Sequence, residues 1–185
     1  QKKMLRLLFL CLFLFCSTAA EGGLPTYWYE AVFGYAECVA ECAKTEGGTP
    51  AVVLSQREQD ALFASLEGTT AQYAILGAQR GDDNIFRWIV GPFAAMEGGL
   101  GLSFYKQSVG CVPLRYCSFA SGEPNNAKFA SCPDGEPRVV TSTPIVSGLL
   151  RSKWNDVCSA AAKISGFGCA CEANRTFSHT SSESL

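Results

Sequence analysis

Two short stretches of this 185-residue chain carry oxygen atoms of the kind that hard cations take. Glu123-Pro124-Asn125 sets a carboxylate and an amide on either side of a proline, with Gly122 just before them. Well downstream, Trp154-Asn155-Asp156 supplies a second amide and a second carboxylate. Each stretch alone has a plainer reading. Gly-x-Pro-Asn is turn chemistry anywhere, and a buried tryptophan followed by an Asx turn also reads Trp-Asn-Asp. Catalysis finds little support. His179 is the single histidine and lies in a polar tail, so no Ser/His/Asp set can form. A cysteine nucleophile needs a base beside it, and a glycosidase carboxylate pair cannot be picked out by spacing. The expectation is a binding protein and not an enzyme.

The elements that must position these residues belong to an extracellular chain. Lys2, Lys3 and Arg6 precede the apolar run Leu7–Phe15, and small residues lead to Ala19-Ala20. That is the pattern of a secretory signal peptide over residues 1–20. The run is shorter than the roughly 20 apolar residues that cross a bilayer, so no membrane span is expected after cleavage near Ala19 or Ala20. Loss of that segment moves the net charge from −2 to −5, which argues against nucleic acid as a partner. The remaining length suits one domain.

Cys11 and Cys16 leave with the signal, and Cys38, Cys42, Cys111, Cys117, Cys132, Cys158, Cys169 and Cys171 remain. An even count in a secreted chain implies a disulfide framework. Zinc is the competing reading, but no CxxC pair occurs and His179 stands alone.

Along the chain, Tyr27–Phe33 reads as an opening strand, and YAECVAECAK over Tyr35–Lys44 as a helix stopped by Gly47-Gly48. Cys38 and Cys42 share one helix face. Ala51–Leu54 reads as a short apolar strand. Ser55-Gln56-Arg57-Glu58 is a capping box, opening a helix with Ala61, Leu62 and Leu66 inward and ending near Gly68. Strand-like pieces follow at Tyr73–Leu76 and Phe86–Ile89, with Phe86 and Trp88 read as core. A glycine-rich loop is expected from Glu97 to Asn126. Lys153–Cys158 and Gly166–Glu172 close the pattern, Cys169 and Cys171 pointing the same way if extended. Residues 174–185 are polar and unpatterned and are expected to be a disordered tail, and Asn174-Arg175-Thr176 is a glycosylation acceptor pattern.

In this order — cysteine helix, Ser-x-x-Glu helix, Ile75-Leu76-Gly77-Ala78, Phe86-Arg87-Trp88, Gly122-Glu123-Pro124-Asn125-Asn126, Cys132, Trp154-Asn155-Asp156, Cys158 and a final Cys171-Glu172 — the chain resembles the C-type lectin-like domain over residues 27–173. The resemblance implies an α+β fold, two helices flanking small antiparallel sheets with a long loop region, stapled by disulfides. It implies Cys42 with Cys171 and Cys132 with Cys158. Spacing then adds Cys38 with Cys169 and Cys111 with Cys117, among the 105 pairings that eight cysteines allow.

The resemblance also implies a site. Glu123, Asn125, Asn155 and Asp156 would hold calcium, helped by a cis Glu123-Pro124 bond, and the same four would bind carbohydrate through two neighbouring hydroxyls. Glu-Pro-Asn order goes with mannose-type sugars: mannose, N-acetylglucosamine and fucose. Glycans or glycoproteins are the expected partners, and the expected location is outside the cell. The alternative is a lectin-like module that binds a protein partner without calcium. One departure stands out. The family usually places a further acid shortly before the cysteine after Glu-Pro-Asn, and Ala127–Ser131 holds none. Asp134 or Glu136, in a longer than usual segment between Cys132 and Trp154, is the candidate replacement.

Overall fold

The first and last strands of the domain close on each other. A computed structural model describes residues 24–31, 34–128, 130, 132–146, 151–158 and 167–175; the expected signal segment, His179 and the tail beyond Arg175 lie outside them. Strand β1 (Thr26–Glu30) runs antiparallel to a strand at Phe167–Ala173, with Trp28 opposite Cys171. Between them the order is α1 (Tyr35–Cys42), β2 (Thr49–Pro50), α2 (Gln56–Ser65), β3 (Tyr73–Arg80), β4 (Ile85–Trp88), β5 (Leu102–Lys106), β6 (Gly110–Cys111), β7 (Arg138–Ser142), β8 (Trp154–Val157) and finally β9, the Phe167–Ala173 strand.

β3 joins two groups of strands. Its first half pairs parallel with β9 and antiparallel with β7, its second half antiparallel with β4, and β5 and β6 follow outward from β4. β8 pairs only with β7 among the described strands, with Val139 opposite Asp156 and Val140 opposite Asn155. The sheet expected as two small antiparallel pieces is therefore continuous through β3 and has one parallel pairing.

Several elements differ from the sequence reading. Ala51–Leu54 is buried or half-buried but is not a ladder strand. Its amides go elsewhere: Ala51 N–H to the Ala170 carbonyl, Val52 N–H to Glu172 Oε2 and Leu54 N–H to Glu58 Oε2. The region expected as one long loop contains β5 and β6, and β7 carries no strong local signal because flanking strands complete it. α2 is capped as its box predicts, Ser55 Oγ accepting from Glu58 N–H at 3.2 Å. Leu62 and Leu66 are fully buried, and so is Gln59.

The core is aromatic. Trp88 and Phe104 stack with centroids 4.5 Å apart, and Trp154 meets Trp88, Phe104 and Phe119 edge-on. Such offset and T-shaped contacts match the charge distribution of the rings. Four disulfides join Cys38 to Cys169, Cys42 to Cys171, Cys111 to Cys117 and Cys132 to Cys158. The first two fasten α1 to β9. Their sulfurs form the one tight cluster of metal-type ligand atoms among the described residues, at Cys38, Cys42 and Cys169, and all are consumed in disulfides.

Candidate functional site

Trp154 is the anchor from which the site is built. Its ring is fully buried, and its indole N–H donates to Gln59 Oε1 at 2.6 Å, while Gln59 Nε2 donates to Thr141 Oγ1 at 3.3 Å. Helix α2 thereby fixes the start of β8. Backbone bonds then lay the segment 118–120 beside β8: Trp154 N–H to the Ser118 carbonyl and Ala120 N–H to the Trp154 carbonyl, both 2.9 Å. A turn follows, closed by Glu123 N–H on the Ala120 carbonyl at 3.0 Å. This carries Glu123 to the neighbourhood of Asp156.

The Glu123-Pro124 peptide bond is cis, a geometry that proline tolerates far better than other residues. Asn125 N–H donates to Glu123 Oε2 and to Asp156 Oδ1, each at 3.0 Å, and Asn125 Nδ2 donates to Glu123 Oε1 at 3.0 Å. Asn126 N–H donates to Asp156 Oδ2 at 2.8 Å. Asp156, fully buried, therefore caps two successive amides of the loop, and the two sequence motifs meet here.

A third acid joins them. Glu136 is buried, and its Oε2 accepts from Ala127 N–H at 3.0 Å. Asn126 Oδ1 accepts from Glu136 N–H at 3.1 Å. Gly135 makes room for this: it has φ +81°, and a Cβ there would overlap Asn126 Oδ1. The Cys132–Cys158 disulfide ties the same turn to the end of β8. Of the two acids singled out in that segment, Glu136 faces the site. Asp134 is exposed, and its contact is a backbone one, its carbonyl accepting from Arg80 Nη2 at 2.8 Å. A buried acid therefore faces the site four residues after Cys132. A Gly-Glu-Pro turn leading into β7 was the only available signal.

The electrostatics are unbalanced. Burial, then the neighbouring Asp156 carboxylate, with a smaller contribution from Glu136, pushes the Glu123 carboxyl up to about 7. Burial, then Asp156, also raises Glu136. No lysine or arginine among the described residues forms a salt bridge with any of the three. Buried charges without partners are costly. Asn155 completes the set: half-buried, it has a buried Oδ1 with no hydrogen-bond partner among the described residues. Asn155 and Glu123 line one small cavity, and amide and carboxylate oxygens are donors of the type calcium takes. The carboxylate oxygens are not all within 4.8 Å of one another; the amides of Asn125–Ala127 lie among them. A small cavity of about 80 Å³, lined in part by Glu123, Lys153 and Asn155, adjoins the site.

No protein-family model matches the chain, and no curated protein matches it in sequence. Solved structures do match in shape. The carbohydrate-recognition domain of the mouse scavenger receptor C-type lectin superposes with a TM-score of 0.56 at 13% identity, over 83% of this chain and 93% of that one. The cow CD23 domain, solved in the presence of a GlcNAc2Man3 oligosaccharide, gives 0.51 at 21%, over 88% and 100%. Herring type II antifreeze protein gives 0.52 at 12%, over 81% and 91%. At these identities the likeness establishes the fold, and the third structure illustrates that one fold carries different functions.

Proposed function

We propose that this chain, which has the C-type lectin-like fold, is a secreted calcium-dependent carbohydrate-binding protein for mannose-type sugars. The observation that carries the reading is the gathering of Glu123, Asp156 and Glu136 around the amides of Asn125–Ala127 with no salt bridge to any of them among the described residues, together with the partnerless Oδ1 of Asn155, which lines a cavity with Glu123. Glu123, Asn125, Asn155 and Asp156 would hold the ion, with Glu136 as a fifth ligand in place of the acid missing before Cys132. Bound there, calcium would offer open coordination positions to two neighbouring sugar hydroxyls.

The side chains supply the rest of the recognition. The Glu123 and Asn125 side chains flank Pro124 and hydrogen-bond each other. Facing a vicinal diol, a carboxylate accepts from one hydroxyl, and an amide nitrogen donates to its oxygen. Affinity per site is weak, because a shallow polar contact buries little area, so useful binding relies on several copies acting together. Secretion rests on the composition of residues 1–20, and no described helix is long and apolar enough to cross a membrane. Asn174, exposed next to β9, is a proposed glycan attachment point.

The test is retention on immobilised mannose in calcium, with competition by N-acetylglucosamine and fucose. Release by chelator supports the reading. Retention on a protein ligand that survives chelator, with no sugar retention, favours instead a calcium-independent lectin-like module.

A further inference from the structure

Where the last strand ends, the chain is held on both sides of one residue. Ala173 is the final ladder position of β9, opposite Thr26. Arg175 is pinned by Glu172 and Glu58, and its Nη2 also donates to the Val52 carbonyl. Asn174 between them is exposed and has φ +60°, the left-handed conformation that asparagine adopts more readily than most residues with a side chain. An exposed amide therefore stands on a backbone that its two neighbours hold.

Beside it lies a cavity of about 370 Å³, within the roughly 300–1,000 Å³ of small-ligand pockets. Asn174 lines it together with Glu46, Thr49, Gly91, Pro92 and Arg175. None of these lines the cavity at Glu123 and Asn155, so the candidate calcium site lies elsewhere. The walls have the chemistry of a carbohydrate seat. Gly91 leaves one wall without a side chain, and the exposed Pro92 ring offers an apolar face. The Thr49 hydroxyl can donate or accept, and the Glu46 carboxylate accepts. Glu46 is exposed and forms no salt bridge among the described residues.

We propose that this cavity seats the chain's own glycan: the first N-acetylglucosamine of an oligosaccharide on Asn174 folds back into it. The inference rests on the reading of Asn174 as an attachment point and adds where the sugar goes. Attachment joins C1 of the sugar to the side-chain amide nitrogen of Asn174. The donor is a lipid-linked diphosphate oligosaccharide, whose lipid diphosphate leaves with the bonding pair while the amide nitrogen gives up one proton. The tether selects the occupant. A free monosaccharide gains little from a small polar site, whereas a sugar joined to the rim is held there at an effective concentration of about millimolar or above. Once seated it covers Arg175 and keeps water from the guanidinium that Glu172 and Glu58 share, which strengthens both ion pairs.

The test uses the full chain made in cultured eukaryotic cells. Mass spectrometry of the peptide carrying Asn174 reads occupancy first, because amidase release of the glycan converts the asparagine to aspartate. On occupied chain, the amidase should act about tenfold or more slowly before denaturation than after it. An endoglycosidase that cuts between the first two sugars should leave the melting midpoint unchanged, since the seated sugar stays. Asn174→Gln should lower the midpoint by about 2–4 °C. Glu46→Ala should speed release from the native chain about fivefold, and should not lower the midpoint of a chain that already carries Asn174→Gln. An unoccupied Asn174 would remove the attachment and the seat with it. Release at one rate from native and denatured chain would leave the attachment standing and overturn the seat. So would a Glu46→Ala chain released no faster, or an Asn174→Gln chain that melts with the glycosylated parent.

Discussion

Two groups of buried and half-buried carboxylates lie among the described residues, and they are finished to different degrees. At the end of β9, Glu172 and Glu58 share one guanidinium: Arg175 Nε donates to Glu172 Oε1 at 2.7 Å, and Nη1 to Glu58 Oε1 at 3.1 Å. The second oxygens take backbone amides, Val52 N–H on Glu172 and Leu54 N–H on Glu58. Burial raises Glu172, and Arg175 pulls it back. Every charge has a partner, and the cluster ties the last strand, the capping box of α2 and the extended segment 52–54 into one unit. The Glu123–Asp156–Glu136 group likewise takes backbone amides but forms no salt bridge among the described residues. The comparison teaches that the fold balances its acids with a guanidinium at one place and leaves those around Asn125 without a salt-bridge partner among the described residues at the other, where the proposed ion would sit.

Breaking the balanced cluster should have the largest effect. Arg175→Ala strands the buried Glu172 and the half-buried Glu58, and loss of one partner of a buried pair costs about 3–5 kcal/mol. Chemical denaturation would register that loss as a lower midpoint, in calcium and in chelator alike.

At the unbalanced cluster the effect depends on the ion. With extracellular affinities of about 10⁻⁴–10⁻³ M, calcium at ten to a hundred times its dissociation constant stabilises by about 1.4–2.7 kcal/mol. Glu123→Gln and Asp156→Asn should each abolish that increment in thermal melts, and Glu123→Gln should melt no lower than the parent in chelator. Smaller still is the contrast between the two candidate acids after Cys132. Glu136→Gln should weaken calcium by about tenfold, since affinity follows the count of charged ligands, whereas Asp134→Asn should leave it unchanged in a calcium titration.

The smallest expected effect is on pH dependence. Glu123 holds its proton in the fold up to about 7, well above the ordinary carboxylate range, because of burial and then Asp156. The folded chain therefore binds more protons than the unfolded one between the ordinary value and about 7. Stability in chelator should fall as pH rises through that window. Melts of the parent and of Glu123→Gln across it check the sign, because the variant should lack the decline.

What could be read in the sequence follows the same division. The capping box, the cysteine helix, Phe86 and Trp88 in the core, and the meeting of Glu123 with Asp156 rest on local spacing or on family order. Glu136 could not be singled out from Asp134, because only the turn at Gly135 and the Cys132–Cys158 tie decide which acid faces inward. Gln59 reads as an exposed helix position until Trp154 and Thr141, both remote in sequence, are packed on it. Arg175 reads as tail, and its burial depends on Glu58, separated from it by more than a hundred residues. β7 escaped for a related reason, since its partner β3 is remote in sequence, whereas the β5–β6 hairpin escaped because β6 is only two residues long in a glycine-rich stretch.

The most direct test of the unbalanced-cluster account is calorimetric titration of the chain with calcium, run beside Glu123→Gln and Asp156→Asn. The account predicts saturable binding to one site in the parent and none in either variant. No binding by the parent up to several millimolar, where extracellular modules of this kind are already occupied, would contradict it. The acids around Asn125 would then be a capped loop and nothing more.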